Sequence, residues 1–317
     1  MKKLLFICDP LHTFKIQTDN TYSLLVAAHD LKAEIYYCLP QHIFAINDQT
    51  FAKISKLAIL AKIVDKPGDV MPWYEEHPHA TLSLTDFTAV FVRNDPPFNM
   101  EYYYLTQILT MAERQGVKVM NNSYALRNFN EKLSILNFPQ FVTPTLVSKD
   151  KDAILDFLHE QNECVVKPLD LMAGRGVFKI SPTDVNYMAI LEVSTNYFSQ
   201  TVMVQKFIPE VRLGDKRIFI VNGQVISHCL YRIPQGNQIR GNIAAGGRGE
   251  VHPIGPEDRL IASEIAKWLI NNNIQFAGID LIGNKLTEIN ITSPTGTRQI
   301  FNAVGINIPK LIIEAVL

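Results

Sequence analysis

The sequence predicts a mixed α/β protein, with an open, mainly parallel sheet first and antiparallel hairpins with packed helices after it. Three observations carry this reading. Apolar strand-like runs alternate with helix-spaced apolar residues up to about Asn121, a pattern that argues for a parallel sheet. From Ser123 onward, strands follow one another across short glycine-bearing turns. At 317 residues the chain is long enough for two or three cores. The natural divisions are residues 1–122, 123–204 and 205–317.

In the first part, KKLLFICDP reads as a strand ending in the Asp9-Pro10 loop. Thr21–Asp30 has apolar residues at helical spacing, with Thr18 or Asp19 as N-cap. AEIYYCLP is a second strand. The prolines of KPGDVMPWYEEHPHATLSL, between Val64 and Leu84, point to a surface connection, and His77 and His79 there lack a third metal ligand at sensible spacing. AVFVRNDPPF is a third strand, ending in a double-proline loop that carries Arg93 and Asp95. Glu101–Gln115 is a helix stopped by Gly116, and VKVMN is a short strand. Ligands usually sit beyond the carboxyl ends of such strands, which marks the Asp9-Pro10 and Asn94–Pro97 loops.

After residue 122, SYALRNFNEKLSILNF reads as one helix with Ser123 as N-cap. FPQFVTPTLVS is extended, because Pro139 and Pro144 exclude helix. Lys151–Glu160 is an amphipathic helix, Cys164–Leu169 a strand, DLMAGRG a glycine loop and VFKI a returning strand. Thr201–Phe207 is another strand. Asp215–Val221 and Val225–Ser227 pair around Asn222-Gly223, a strong hairpin signal. The long loop RIPQGNQIRGNIAAGGRGE follows, then a helix over Glu257–Asn271. A second hairpin, Phe276–Ile282 with Leu286–Thr292, and a short helix end the chain.

Bulk composition excludes several classes. The chain is 47% hydrophobic and 19% charged, and its 30 basic and 31 acidic residues nearly cancel. Nothing there points to nucleic acid or to a disordered charged tail. Cys8, Cys38, Cys164 and Cys229 are scattered, without a C-x-x-C or zinc spacing, and three lie in apolar runs. That is the pattern of buried reduced thiols in a cytoplasmic protein. The run Leu4–Cys8 is too short for a signal-peptide core. No stretch approaches the roughly 20 apolar residues of a membrane span.

The chemistry concentrates in the last hairpin, FAGIDLIGNKLTEINITSPT. Asp280, Glu288 and Asn290 place oxygen-bearing side chains on otherwise apolar strands, where an unpaired charge is costly. They fit a hard cation such as Mg²⁺, which takes carboxylate and amide oxygens and shares its shell with phosphates. Glu288 and Asn290 face the same way. A three-residue loop at Gly283-Asn284-Lys285 pairs Asp280 with Glu288, whereas a two-residue loop pairs it with Thr287. We expect the three-residue loop. An edge hairpin with polar residues facing water has the same alternation.

Other groups converge on anions. The Asp170–Gly176 loop lies between strands, which favours a hairpin flap over phosphates and argues against a dinucleotide fold, where a helix follows the glycines. Lys167 ends the strand before it, a placement that suits a nucleotide phosphate. Lys132, taken by itself, reads as a solvated lysine on a helix surface. Asp215, Lys216 and Arg217 enter one strand, Arg232 ends another, and Arg240, Asn242 and Arg248 lie in the glycine-rich loop. Several arginines together suit phosphate and carboxylate, whose oxygens the planar guanidinium binds in pairs. No nucleophile motif and no P-loop is present.

The stretches DPLHTFK, RNDPPF, NFNEKL, VKPLDLMAGRG, LGDKR, RIPQG, RGNIAAGGRGE and GIDLIGNKLTEINITSPT resemble the bacterial glutathione synthetases of the ATP-grasp superfamily, in order and over nearly the whole chain. The resemblance implies an ATP-grasp fold behind an N-terminal open parallel α/β domain. It implies that Lys132, Lys167 and Asp215 serve the ATP phosphates under a flap bearing Gly174 and Gly176. It implies that the backbone at Gln205, Lys206, Phe207 and Ile208 pairs with adenine. By the same resemblance Arg217, Arg232 and Arg240 are catalytic. Arg93, Asp95, Asn242, Ser293 and Thr295 bind substrate, and Asp280, Glu288 and Asn290 hold two Mg²⁺ or Mn²⁺ ions. The family joins γ-glutamylcysteine to glycine with ATP, and its members are often homo-dimers or tetramers. The sequence departs from the family at Leu171 and Ala173, where glycine is common, and at Lys206-Phe207, where enteric-type members have Asn-Tyr. Another ATP-grasp carboxylate–amine ligase, or a nucleotide-binding module without catalysis, is the alternative.

Overall fold

The computed structural model describes residues 2–60, 73–95, 97–172, 174–236, 238, 241 and 246–317. The chain begins with β1 (Lys3–Ile7), α1 (Asn20–Asp30), β2 (Glu34–Cys38), β3 (Ile43–Ile46), β4 (Gln49–Ile59) and β5 (Tyr74–Ser83). β6 (Ala89–Val92), α2 (Met100–Arg114) and β7 (Val119–Met120) complete the first sheet. Its parallel core runs β2-β1-β6-β7. After Lys3, β1 is apolar and buried, and β6 is apolar and buried throughout, as central parallel strands must be. The helices start where capping chemistry allows. The Asp19 side chain accepts from Tyr22 N, and that of Asn99 from Tyr102 N.

The expected surface connection over Val64–Leu84 is corrected in its second half, which is strand β5, paired antiparallel with β4 from Ile59↔Tyr74 to Phe51↔Ser83. Residues 64–72 of that stretch lie outside the described residues. Proline and charge at 75–78 hide the strand, yet β5 has a single strand neighbour, an edge position that tolerates proline. β4 in turn joins β2 and β3 antiparallel, so the parallel core carries an antiparallel extension.

The second part holds α3 (Ser123–Asn128), β8 (Thr145–Ser148), α4 (Lys151–Gln161), β9 (Cys164–Pro168), β10 (Phe178–Ile180), α5 (Tyr187–Ser194) and β11 (Val202–Lys206). The four strands form an antiparallel sheet, ordered β10-β9-β11-β8. The single helix expected over 123–138 is corrected. α3 stops at Asn128, its N-cap is Asn122 rather than Ser123, and a separate 3₁₀ turn covers Leu133–Asn137. Asn130 causes the break, because its Oδ1 accepts from both Lys132 N and Leu133 N. Such local side-chain bonds compete with helix.

The third part holds β12 (Asp215–Val221), β13 (Gln224–Ile233), β14 (Arg248–Pro253), α6 (Pro256–Asn271), β15 (Phe276–Ile282), β16 (Lys285–Asn290), α7 (Thr297–Val304) and α8 (Ile308–Glu314). Its sheet is antiparallel, ordered β14-β13-β12-β15-β16. Alternation along β12 splits its side chains between two cores. Ile218 and Ile220 pack with Ile261, Ile265 and Leu269 of α6. Phe219 and Val221 pack with Leu25 of α1 and Ile312 of α8. The third sheet is thereby fixed to the first.

Asn121, buried just after β7, ties the two sheets by polar contacts as well. Its Nδ2 donates to Phe276 O and Ile291 O, both at 2.7 Å, and its Oδ1 accepts from Gln275 N and Phe276 N at 3.0 and 2.9 Å. Asn121→Ala orphans four buried backbone groups, so a loss on the order of 3 kcal/mol is expected. Chemical denaturation checks this, and an unchanged midpoint contradicts it.

Candidate active site

The β15–β16 hairpin reaches the expected pairing by another route. Ile282 pairs with Lys285 across a two-residue Gly283-Asn284 turn, not the expected three-residue loop. Gly283 has φ +57°, a conformation open to glycine. Thr287 is then an extra residue on β16, a bulge, and its Oγ1 donates to Asp280 O at 3.1 Å. The bulge restores Asp280 opposite Glu288, with Gly278 opposite Asn290.

Asp280 is 3% exposed and held by two arginines. Arg217 Nε donates to its Oδ1 at 2.8 Å and Nη2 to its Oδ2 at 2.7 Å. Arg232 Nη2 lies 2.7 Å from the same Oδ2, and Asn290 Nδ2 donates to it at 3.2 Å. Arg232 also grips Asp215 through Nε and Nη2, at 2.6 and 2.8 Å. Two carboxylates and two guanidiniums thus form a buried, electrically balanced ladder across β12, β13 and β15. Burial alone would raise the Asp280 carboxyl, but Arg217 and Arg232 outweigh it and hold the group well below the usual carboxylate range. Burial pushes Asp215 up, against the pull of Arg232.

The ladder leaves particular atoms open. Among the described residues, Asp280 Oδ1 accepts one hydrogen bond, from Arg217 Nε. Asn290 spends its Nδ2 on Asp280 and on Gly278 O, and no hydrogen bond falls on its Oδ1 among the described residues. Glu288 meets Lys132 Nζ at 3.4 Å and is partly exposed. These three oxygen donors fit a hard divalent cation. Arg232 Nη1 likewise carries no bond among the described residues, and Arg232 lines the neighbouring cleft.

That cleft, counted with its open mouth, spans about 880 Å³. Lys132, Lys167, Gly174, Gln205, Lys206, Phe207, Ile208, Asp215, Arg232, Asp280 and Glu288 all line it. Lys132 is buried, not the solvated lysine a helix surface would give. Its ammonium also donates to Leu171 O in the flap at 2.6 Å. Lys167 Nζ donates to Gln205 Oε1 at 2.6 Å, and Gln205 Nε2 to Thr145 Oγ1 at 2.9 Å. Burial pushes the Lys167 ammonium down to about 8; Glu288 opposes this and Lys132 adds to it. Gly176 takes φ +68°, and a Cβ there would sit 2.8 Å from Pro168 Cγ, so the β9–β10 flap needs that glycine despite Leu171. At the hinge, Lys206 N donates to Pro144 O and Phe207 N to Glu163 O. The Ile208 N–H has no partner among the described residues.

Other expected site residues lie apart. Arg217 does not line the cleft; it stands behind Asp280, with Nη1 on Thr295 O at 3.2 Å. Arg93 is buried at the end of β6 and donates to Thr292 O at 3.0 Å. Asp95 N donates to Asp9 Oδ2 at 2.9 Å, joining the two predicted ligand loops. The Ser293 hydroxyl is buried without a partner among the described residues, and Thr295 is exposed. Arg240 and Asn242 lie outside the described residues. The sequence reading missed Glu131, whose side chain bonds the chain just after β16. The polar triplet Asn130-Glu131-Lys132 inside an apolar periodicity was its only signal.

Residues 2–127 match the family model of the prokaryotic glutathione synthetase N-terminal domain, and residues 131–305 that of its ATP-grasp domain. The chain is 42% identical to a glutathione synthetase of Nitrosomonas europaea, over 99% of this chain and 97% of the relative. It is 41% identical to one of Neisseria meningitidis serogroup B, over 100% and 98%. Among solved structures, the fold is similar to D-cycloserine synthetase DcsG (TM-score 0.64, 15% identity, covering 99% of this chain and 100% of that one). It is also similar to the macrocyclase MdnC of Microcystis aeruginosa (TM-score 0.63, 14% identity, covering 100% and 99%). With both domain models matched and full-length relatives above 40% identity, the chain belongs to the prokaryotic glutathione synthetase family.

Proposed function

We propose that this chain joins γ-glutamylcysteine to glycine, converting ATP to ADP and phosphate. One observation carries the reading: buried Lys132 and half-buried Lys167 line a single cleft with Asp280 and Glu288, Asn290 is bonded to Asp280, and the backbone hinge lines the same cleft. Lys132 and Lys167 bind the phosphates, and the free Ile208 N–H takes the adenine edge. The flap bearing Gly174 and Gly176 covers the nucleotide. Asp280, Glu288 and Asn290 would hold divalent cations, Mg²⁺ or Mn²⁺ and two in number, whose charge offsets that of the phosphates. Four buried free thiols support a cytoplasmic setting.

The chemistry proceeds in two displacements. The cysteinyl carboxylate attacks the γ-phosphorus; the bond to the ADP oxygen breaks and an acyl phosphate forms. The glycine amine, having lost a proton, then attacks the acyl carbon, and phosphate leaves. Arg232 Nη1 donates to the oxyanion of that second step, a contribution worth about 3–4 kcal/mol in other enzymes. Arg217 positions Asp280 from behind. Arg93, Asp95, Asn242, Ser293 and Thr295 serve as substrate-binding residues, and Arg240, like Arg232, as a catalytic residue. Residues 1–122 act as a substrate-binding unit, 123–204 as a lid, and 205–317 as a metal- and substrate-binding unit. Exclusion of water protects the acyl phosphate.

Phosphate release measured with ATP and Mg²⁺ tests the proposal. Release should require γ-glutamylcysteine and glycine together. Equal release with other dipeptides or amines assigns a different ligase, and none at all contradicts the reading.

Charge variants separate the carboxylates. Glu288→Gln should abolish turnover and leave thermal stability nearly unchanged, since Glu288 is partly exposed. Asp280→Asn leaves two buried guanidiniums short of a partner, so a stability loss of about 3–5 kcal/mol should accompany its inactivity. Equal stability of the two variants contradicts the ladder.

Lys167 gives a pH signature. Its folded value of about 8 lies below that of a free lysine, so it is neutral above that pH and charged below it. A phosphate beside it favours the charged form. Nucleotide binding at about pH 9 should therefore take up a proton, and binding at about pH 6.5 should not. Calorimetry in buffers of different ionisation enthalpy measures this, and Lys167→Met should remove the uptake.

A further inference from the structure

Glu131 has no part in the site as described so far, yet it grips β16 on both sides of Asn290. Its backbone carbonyl accepts from Ile289 N at 2.9 Å. Its side-chain Oε1 accepts from Ile291 N at 2.8 Å, from Thr292 N at 3.0 Å and from Thr292 Oγ1 at 2.8 Å. Four bonds from one residue thus bracket Asn290. The Thr292 carbonyl is pinned from the other side by Arg93.

The same residue immediately precedes Lys132. The turn that carries Lys132 is held by Asn130, whose Oδ1 takes Lys132 N and Leu133 N and whose Nδ2 donates to Leu169 O at 2.9 Å. Lys132 reaches Glu288 and the flap from that turn. Glu131 is therefore the joint between the phosphate-facing lysine and the strand that bears Glu288 and Asn290. An ordinary helix surface could not supply this. The helix break is what turns both the carbonyl and the carboxylate of Glu131 toward β16.

We propose that Glu131 is a positioning residue that sets Asn290 and Glu288 against Lys132, and so fixes the affinity of the site for a divalent cation bound with nucleotide. The proposal rests on the ligase reading above. All three side-chain bonds fall on one oxygen, Oε1. Glutamine keeps such an oxygen and alanine does not. Positioning through Oε1 thus predicts that Glu131→Gln retains the function and Glu131→Ala loses it. A role carried by the negative charge predicts that both lose it.

The test is Mn²⁺ binding in the presence of a non-hydrolysable ATP analogue, followed by electron paramagnetic resonance. Removing the groups that orient metal ligands lowers affinity by about 10–100-fold in other proteins. Glu131→Ala should weaken Mn²⁺ at least about tenfold on that scale, and Glu131→Gln should stay within about threefold of wild type. The KM for γ-glutamylcysteine should move less than that for the metal–nucleotide. If Glu131→Ala fails to fold, Thr292→Val removes one of the three Oε1 bonds and should weaken Mn²⁺ about two- to threefold. Wild-type affinity in Glu131→Ala or Thr292→Val, or a Glu131→Gln as weak as Glu131→Ala, overturns the assignment. A wild-type chain that binds no Mn²⁺–nucleotide contradicts the ligase reading itself.

Discussion

The buried carboxylate of Asp280, shared between Arg217 and Arg232, is the interaction on which the site depends. A charge so deep in a sheet survives only with partners that satisfy nearly every lone pair. Here three donors fall on Oδ2 and one on Oδ1. That asymmetry does two things. It fixes both guanidiniums without spending Arg232 Nη1, and it leaves one carboxylate oxygen available beside Glu288 and Asn290. Cationic and anionic halves of the site are thus held at fixed separation before any ligand arrives. Pre-oriented charge of this kind needs little reorganisation during reaction.

The ladder explains the strand arrangement around it. Arg217 and Arg232 lie on β12 and β13, and Asp280 lies on β15, the other neighbour of β12. A sheet ordered β13-β12-β15-β16 is what brings Asp215, Arg232, Asp280 and Glu288 to one face of one edge. The β9–β10 flap and the hinge close the opposite side. Asn121 and the core shared by α1, α8 and β12 keep the third sheet fixed against the first, where Arg93 and Asp95 lie. The loops that carry Arg93 and Asp95 are therefore joined to the Asp280 ladder by packed contacts.

Much of this was legible in the sequence because its signals are local. Short apolar runs gave the strands β1, β2, β6, β12 and β15, and Asn222-Gly223 gave the β12–β13 hairpin. The oxygen set of the last hairpin stood out because polar residues in apolar strands are costly. The misses are non-local. Thr287 as a bulge depends on how Asp280 is held across the hairpin, and the loop length alone gave the wrong turn for the right pairing. The break after Asn128 begins with the local bonds of Asn130 to Lys132 N and Leu133 N, but it is held by what Asn130 and Glu131 find on Leu169 and Ile291, far along the chain. β5 was hidden because an edge strand need not alternate cleanly. Arg217 looked like a cleft arginine by its spacing, and only its neighbours on β15 reveal that it faces Asp280 instead.

The account rests on activation of a carboxylate by phosphoryl transfer inside this cleft. The most direct measurement is isotope transfer from γ-glutamylcysteine labelled with ¹⁸O in its cysteinyl carboxylate. Passage through an acyl phosphate predicts that each turnover delivers one labelled oxygen to the released inorganic phosphate. Label that remains entirely in the peptide product, with unlabelled phosphate, contradicts it.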